Sequence, residues 1–229
     1  MAPAARNAWC FAWLEGPLLS PGADRAGLLI GARWQPGSAV PISFLDGNAD
    51  LQKRVKRIAR EWVGADMANL ELAFRKTGGA IRISFKHRGA WSAIGTSCLK
   101  VTDASRPTMN LGLAGKTPEE FRRTVLHEFG HALGLVHEHA TPAGGIKWNR
   151  ERVKQVLQGP PHFWSEQRIK ENVFRAFTKK ETNFTVFDRH SIMLYPFPKD
   201  WTRNGVSSAL NLKLSELDKS AIREWYPHD

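Results

Sequence analysis

The sequence predicts an α+β fold, on three observations. Five segments of strand composition fall between residues 40 and 112. Two helical patterns accompany them, one inside that stretch and one directly after it. Beyond residue 137 little regular patterning returns until a last helix near the C-terminus. The expected architecture is therefore an N-terminal lobe, a mixed β-sheet with two long helices over about 34–137, and a more irregular C-terminal lobe over about 138–229.

The elements follow in chain order. Residues 1–33 read as a leader or N-terminal extension, because Gly and Pro crowd residues 16–39, which suggests irregular chain or a segment outside the main fold. Ala8 to Leu14 is apolar but short, with only Arg6 ahead of it, and makes a poor secretion signal. Val40 to Leu45 has strand composition, and Asp46-Gly47-Asn48 is a turn. Leu51, Val55, Ile58 and Trp62 then recur at i, i+4, i+7 and i+11, so a helix presents one apolar face while Lys53, Arg54, Lys56, Arg57 and Arg60 fall mostly on the other. Leu70 to Phe74 and Ala80 to Phe85 read as strands, the second alternating Ile81, Ile83 and Phe85 inward with Arg82, Ser84 and Lys86 outward. Trp91 to Cys98 and Thr108 to Gly112 complete the sheet. Thr117-Pro118-Glu119-Glu120 opens a second helix with a capping box and proline at its first position. Leu214-Ser215 followed by Leu217, Ile222 and Trp225 reads as a capped closing helix.

Composition narrows the function classes. The 229 residues are 42% hydrophobic and 24% charged with a mean hydropathy of −0.38. No apolar run reaches the ~20 residues of a membrane helix, and the composition is neither disordered nor collagenous. Two cysteines, Cys10 and Cys98, permit one disulfide at most and exclude a multi-cysteine metal site. The net charge of +11 points to an acidic partner. Sixteen basic against 8 acidic residues give +8 before Thr117, and 17 against 14 give +3 from there on, so the excess sits on the N-terminal lobe.

The second helix carries the chemistry, in the run HEFGHALGLVHEH from His127. His127 and His131, four apart, project from one helix face about 40° apart and ~6 Å along the axis, a span that suits two imidazoles on one metal. On a continuing helix His137 would face away, about 240° further round. Gly134 supplies the break, since glycine adopts the left-handed conformation that ends a helix without a Cβ penalty. Three neutral nitrogens with a fourth position open is the arrangement of a catalytic zinc, with Glu128 beside the first ligand as general base. From this chain's own composition HExxH is expected by chance about 0.02 times, and HExxHxxGxxH about 0.00004 times.

The long motif resembles that of the metzincin zinc metalloproteases, and Ser191-Ile192-Met193-Leu194-Tyr195 resembles their Met-turn. Glu138, directly after the third histidine, is similar to the astacin branch. The segments VPISFLDGNADLQKRVKRIAREW, AIRISF, GAWSAIGTSC, TMNLG and FDRHSIMLYP, in that order, are similar to bacterial and fungal astacin-like peptidases from about Trp34 to the C-terminus. Leu194 departs from the histidine frequent there, and the family's paired disulfides are missing.

The resemblance implies a metzincin fold with its active-site cleft between the two lobes, one zinc ion on His127, His131 and His137, and Glu128 as base and then acid. It implies Tyr195 stabilising the oxyanion, with Met193, Gly134 and Glu138 in support. It further implies that Trp91, Ser92, Ala93, Ile94 and Gly95 form an edge strand that pairs with a peptide. The expected partner is a polypeptide, with acidic side chains favoured, bound by a secreted monomer; neither a membrane span nor nucleic acid is expected. His139, His190 and Asp188 are read as hydrogen-bonding support, and Pro160 to Trp164 as packing. Two other classes compete, a catalytically silent binding module and a basic nucleic-acid-binding protein whose binding would fall steeply with salt and outlast zinc removal.

Overall fold

The computed structural model describes residues 11–13, 30–112, 116–141, 145–160, 162–175 and 187–228. Cys10 and Pro161, both named above, lie outside them.

A six-stranded mixed sheet forms the N-terminal lobe, in the order β1-β5-β6-β4-β2-β3. The strands are β1 (Phe11–Trp13), β2 (Ala39–Phe44), β3 (Glu71–Phe74), β4 (Ile81–Ser84), β5 (Ala90–Ala93) and β6 (Met109–Leu111). β3, β2, β4 and β6 run parallel; β5 is antiparallel to β6, and β1 joins β5 in parallel with Phe11 opposite Trp91 and Trp13 opposite Ala93. All five expected strands are present. The sixth, β1, comes from residues 11–13, ahead of the stretch expected to fold.

Helix α1 (Ala49–Ala59) begins where Asn48 Oδ1 accepts the Leu51 N–H, and Asp46 closes the preceding turn by accepting from Ser84 Oγ and the Phe85 N–H. It buries Val55, Ile58 and Ala59, and Trp62 follows just beyond it. Helix α2 (Pro118–Ala132) opens with the expected capping box, Thr117 Oγ1 accepting from Glu120 N–H and Glu120 accepting from Thr117 N–H. Both helices pack with the sheet in one core. Trp62 Nε1 donates to Leu126 O at 2.9 Å and ties α1 to α2.

Three departures from the pattern have physical causes. Residues 91–98 do not stay extended: the strand ends at Ala93 and Gly95–Lys100 form a 3-10 turn, started by Gly95 at φ +48° beneath the Ala32 carbonyl. The outward face of β4 is not solvated. Arg82 and Ser84 are buried, and the Arg82 guanidinium donates to the carbonyls of Gly79, Val101 and Arg106, so the 95–108 segment covers that face. The closing helix α5 (Glu216–Trp225) also joins the N-terminal core, through Ile222, Trp225 and the following Tyr226. Tyr226 Oη donates to Leu133 O at 2.8 Å and accepts the Trp34 N–H.

The C-terminal lobe has its own smaller core. Val153 and Leu157 of α3 (Arg150–Gln158), Ile169 of α4 (Glu166–Ile169), Trp164, Leu194, Phe197 and Trp201 pack together there. Of the aromatic segment expected to pack, Trp164 does, whereas Phe163 is 67% exposed at φ +51°. Among the described residues no helix is long and apolar enough to cross a membrane.

Candidate metal centre

Helix α2 ends as its glycine requires. Gly134 sits at φ +100°, its N–H donates to His131 O, and the Leu135 N–H donates to Gly130 O, which closes the helix and turns the chain back. Two residues later His137 is extended, at φ −66° and ψ 129°, and the Glu138 N–H donates to Met193 O. The third imidazole therefore returns to the face of the first two. The ligand nitrogens of His127, His131 and His137 lie within 4.8 Å of one another, and all three residues are buried.

The donor chemistry fits a zinc ion. His127 Nδ1 lies 2.8 Å from Ile192 O and His131 Nδ1 lies 2.7 Å from Leu135 O, so each Nδ1 carries the proton and each Nε2 turns a lone pair inward. His131 Nε2 and His137 Nε2 are 3.1 Å apart. Two nitrogens at ~2.0–2.1 Å from one tetrahedral zinc would be ~3.3–3.4 Å apart. Burial pushes the His127 and His137 imidazoles well below their ordinary range and His131 down to about 4, with the neighbouring imidazoles adding to the first two. All three are neutral at pH 7, the form that ligates. These three histidines form a site suited to one zinc ion.

Around the triad the structure assembles most of the expected residues. Glu128 is fully buried in α2, beside His127. Met193 lies beneath the helix, where a Cβ on Gly130 would run into its sulfur, which explains the glycine inside HEFGH. The Tyr195 ring is 4.2 Å from that of His137 and 6.0 Å from that of His127, and Tyr195 packs on Ala90 at the start of β5. His139 is buried too; its Nε2 lies 2.9 Å from Asn172 O, and desolvation lowers it to about 4. Glu138 accepts the Asp188 N–H at 2.8 Å, and burial with the nearby Asp218 and Asp188 pushes its carboxyl up to about 8. Asp188 in turn accepts from the His190 N–H and from Ser215 Oγ, while the His190 residue itself is exposed.

β5 is not the edge strand expected of Trp91 to Gly95. β6 pairs with one side of it and β1 with the other. Cys98 is a free, buried thiol pushed up to about 12 by desolvation.

Sequence reasoning missed the residues that hold the Met-turn. Asp218 of α5, 4% exposed, accepts from Ser191 Oγ at 2.7 Å and from the Ile192 N–H at 2.8 Å, and Ser191 Oγ accepts the Met193 N–H at 3.0 Å. Arg123 of α2, also buried, donates to Leu194 O. The Ser215-x-x-Asp218 spacing was readable as a helix cap, but its second use on a turn 26 residues away was not.

Known structures resemble this arrangement. Two structures of myroilysin are each 33% identical in sequence: one matches at TM-score 0.82, covering 88% of this chain and 98% of that one, the other at 0.65, covering 91% and 93%. High choriolytic enzyme 1, a hatching enzyme zinc-protease from the medaka fish Oryzias latipes, shares the fold at TM-score 0.59 and 17% identity over 87% of this chain and 96% of its own. No family model and no curated protein matches the chain.

Proposed function

Because the chain belongs to the astacin-like family of zinc metalloproteases, we propose that it is an endopeptidase hydrolysing internal peptide bonds of polypeptides with Glu128 as general base. The observation that carries this reading is the convergence of three neutral imidazoles beside a buried carboxylate and a tyrosine ring. Zinc on His127, His131 and His137 would supply Lewis acidity, making water a nucleophile near neutral pH and polarising the scissile carbonyl.

The chain's own groups do the rest. Glu128 takes the proton of the attacking water, and the same carboxyl passes it to the leaving amine. The Tyr195 hydroxyl donates to the oxygen that gains negative charge at the tetrahedral stage; a single donor of this kind is worth ~10²–10³ in rate. Met193, packed against Gly130, supports the floor of the site, Gly134 sets the turn that returns His137, and Glu138 joins the ligand loop to residue 188.

Substrate would pair with β5 in the manner of an added strand. The Ala93 N–H points to β6, where it donates to Thr108 O, so by alternation the Ser92 main chain faces the other edge. That edge is taken by β1, so a peptide using it must displace residues 11–13, and the leader acts as a competitor for the cleft.

The test is metal analysis and casein cleavage by the chain and its Glu128→Ala variant side by side. One zinc per chain in both proteins is expected, with cleavage by the variant reduced ~10²–10⁴-fold. Equal cleavage by the two, or no stoichiometric zinc in the parent, would overturn the mechanism. The silent-module alternative predicts no cleavage by either.

A further inference from the structure

The basic face of α1 takes no part in the site, and its cations are arranged in an unusual way. Lys53, Lys56, Arg57 and Arg60 lie within an arc of ~100° and are spread over ~10 Å of the helix axis. Four of their spacings are i,i+3 or i,i+4, each placing like charges side by side, which weakens the helix that carries them. Among the described residues none of them forms an ion pair, and neither does Arg54. Aromatic rings hold three of the five in place. Arg54 lies 4.2 Å from the Phe121 centroid, Lys56 lies 5.7 Å from Phe44 and 5.4 Å from Phe74, and Arg60 lies 5.7 Å from Phe74. Phe44 and Phe74 are themselves stacked at 5.8 Å. Cations pinned over rings lose little freedom when they meet an anion, so Lys56 and Arg60 of the row are ordered in advance of any partner.

The position of the row matters as much as its charge. Phe44 and Phe74 belong to β2 and β3, at the end of the sheet opposite β5. Three to four strand spacings, ~14–19 Å, separate them from the strand beside Tyr195. The row therefore lies outside the cleft, yet within reach of a polypeptide whose scissile bond occupies it.

We infer that the outer face of α1 is an exosite for acidic segments of polypeptide substrates, engaged by Lys53, Lys56, Arg57 and Arg60 at a distance from the scissile bond. This rests on the peptidase reading above, which makes the occupant a polypeptide; charge complementarity makes it acidic. The rings that a nucleic-acid base would stack on are already covered by cations, which argues for a partner recognised by charge alone. Tethering one segment on the exosite raises the effective concentration of the scissile bond at the zinc, so the effect falls on KM and leaves kcat alone.

The experiment compares two quenched fluorescent peptides, each carrying a flexible Gly/Ser spacer of about twelve residues, long enough to average ~19 Å. One ends in four acidic residues and the other in four serines. At low salt the acidic peptide is expected to show a KM about 10-fold lower, the advantage disappearing at 0.5 M salt and in the Lys53→Glu/Arg57→Glu/Arg60→Glu variant, whose kinetics on the serine peptide stay unchanged. A neutral Lys53→Gln/Arg57→Gln/Arg60→Gln variant gives the same loss should the reversed helix fold poorly.

Equal KM values for the two peptides in the parent protein, or an advantage that survives both variants, would overturn the inference. Fluorescence anisotropy of the labelled acidic peptide on the Glu128→Ala protein reads binding without turnover, and its Kd is expected to rise at least 10-fold on charge reversal. If the serine peptide is never cleaved, the peptidase reading fails while anisotropy still decides the exosite. A single-stranded DNA oligonucleotide that binds this face where the acidic peptide does not would make the partner nucleic acid and overturn the inference.

Discussion

His127 is oriented by groups that never touch a metal. Its Nδ1 is held by Ile192 O, and the peptide bearing that carbonyl is fixed through the Met193 N–H on Ser191 Oγ, which donates to the buried Asp218. A carboxylate, a hydroxyl and a peptide thus act in series on one ligand, the kind of outer contact whose loss typically costs 10–100-fold in metal affinity. Ser191→Ala leaves the Met193 N–H buried without its acceptor and releases one oxygen of Asp218. We expect it to destabilise the fold by about 1–3 kcal/mol and to raise the zinc dissociation constant by about 10-fold or more, measured by competition with a chelator. An unchanged constant in a folded variant would mean that the hydroxyl holds the turn without orienting the ligand.

At the scale of elements, two turns and one strand pairing decide the site. The α2 terminus at Gly134 brings His137 back, and the Met-turn is clasped between α2 and α5. β5 is placed against Tyr195 with its far edge occupied by β1. If that edge accepts substrate, Ser92→Pro removes an outward main-chain donor while leaving the Ala93 bond to Thr108 in place. KM for peptides should then rise several-fold with kcat little changed, read from initial rates on a fluorescent peptide. Unaltered KM would remove β5 from substrate capture. Ala93→Pro is the poorer test, because it breaks the ladder to β6 and would disturb the sheet itself.

At the scale of the molecule, the end of α5 is tied back to the N-terminal lobe: the Trp34 N–H donates to Tyr226 Oη, and Asn69, just ahead of β3, donates to the carbonyls of Tyr226 and Pro227. The charged groups inside this assembly set its response to pH. Four buried histidines are held below their ordinary 6.5, so between about pH 4 and 6.5 the unfolded chain binds protons that the metal-free fold refuses, and stability falls as pH falls. Glu138, pushed up to about 8, works oppositely: the fold keeps its proton from about pH 4.5 to 8, and stability declines as pH rises through that window. The four histidines outweigh the acids below about pH 6, and Glu138, with Asp218 raised by burial in the same sense, prevails above about pH 7. Urea denaturation of the metal-free protein should therefore show a maximum between about pH 6 and 7, with the steeper loss on the acid side; a monotonic rise to pH 8 would contradict the protonated Glu138.

Much of this was legible in the residues. The strands at β2, β3, β4 and β6, both long helices, the caps of α2 and α5 and the three zinc ligands all follow from patterns within a few residues, because period, capping and i,i+4 spacing are local properties. Gly134 was readable as the break that His137 needs, since a continuous helix turns that imidazole the wrong way. What lay beyond the sequence involves partners far apart in the chain. Arg82 alternates like a solvent-facing residue, yet it is buried because the 95–108 segment folds over it. Asp218 reads as an ordinary cap, and only packing brings it to Ser191 and Ile192. The family resemblance implies a free edge at β5, and only the pairing of residues 11–13 makes it internal. Local pattern determined which side chains can bind zinc and where the chain must turn; tertiary packing decided what orients those ligands and what stands at the cleft, because both depend on chain segments meeting that no short-range preference can specify.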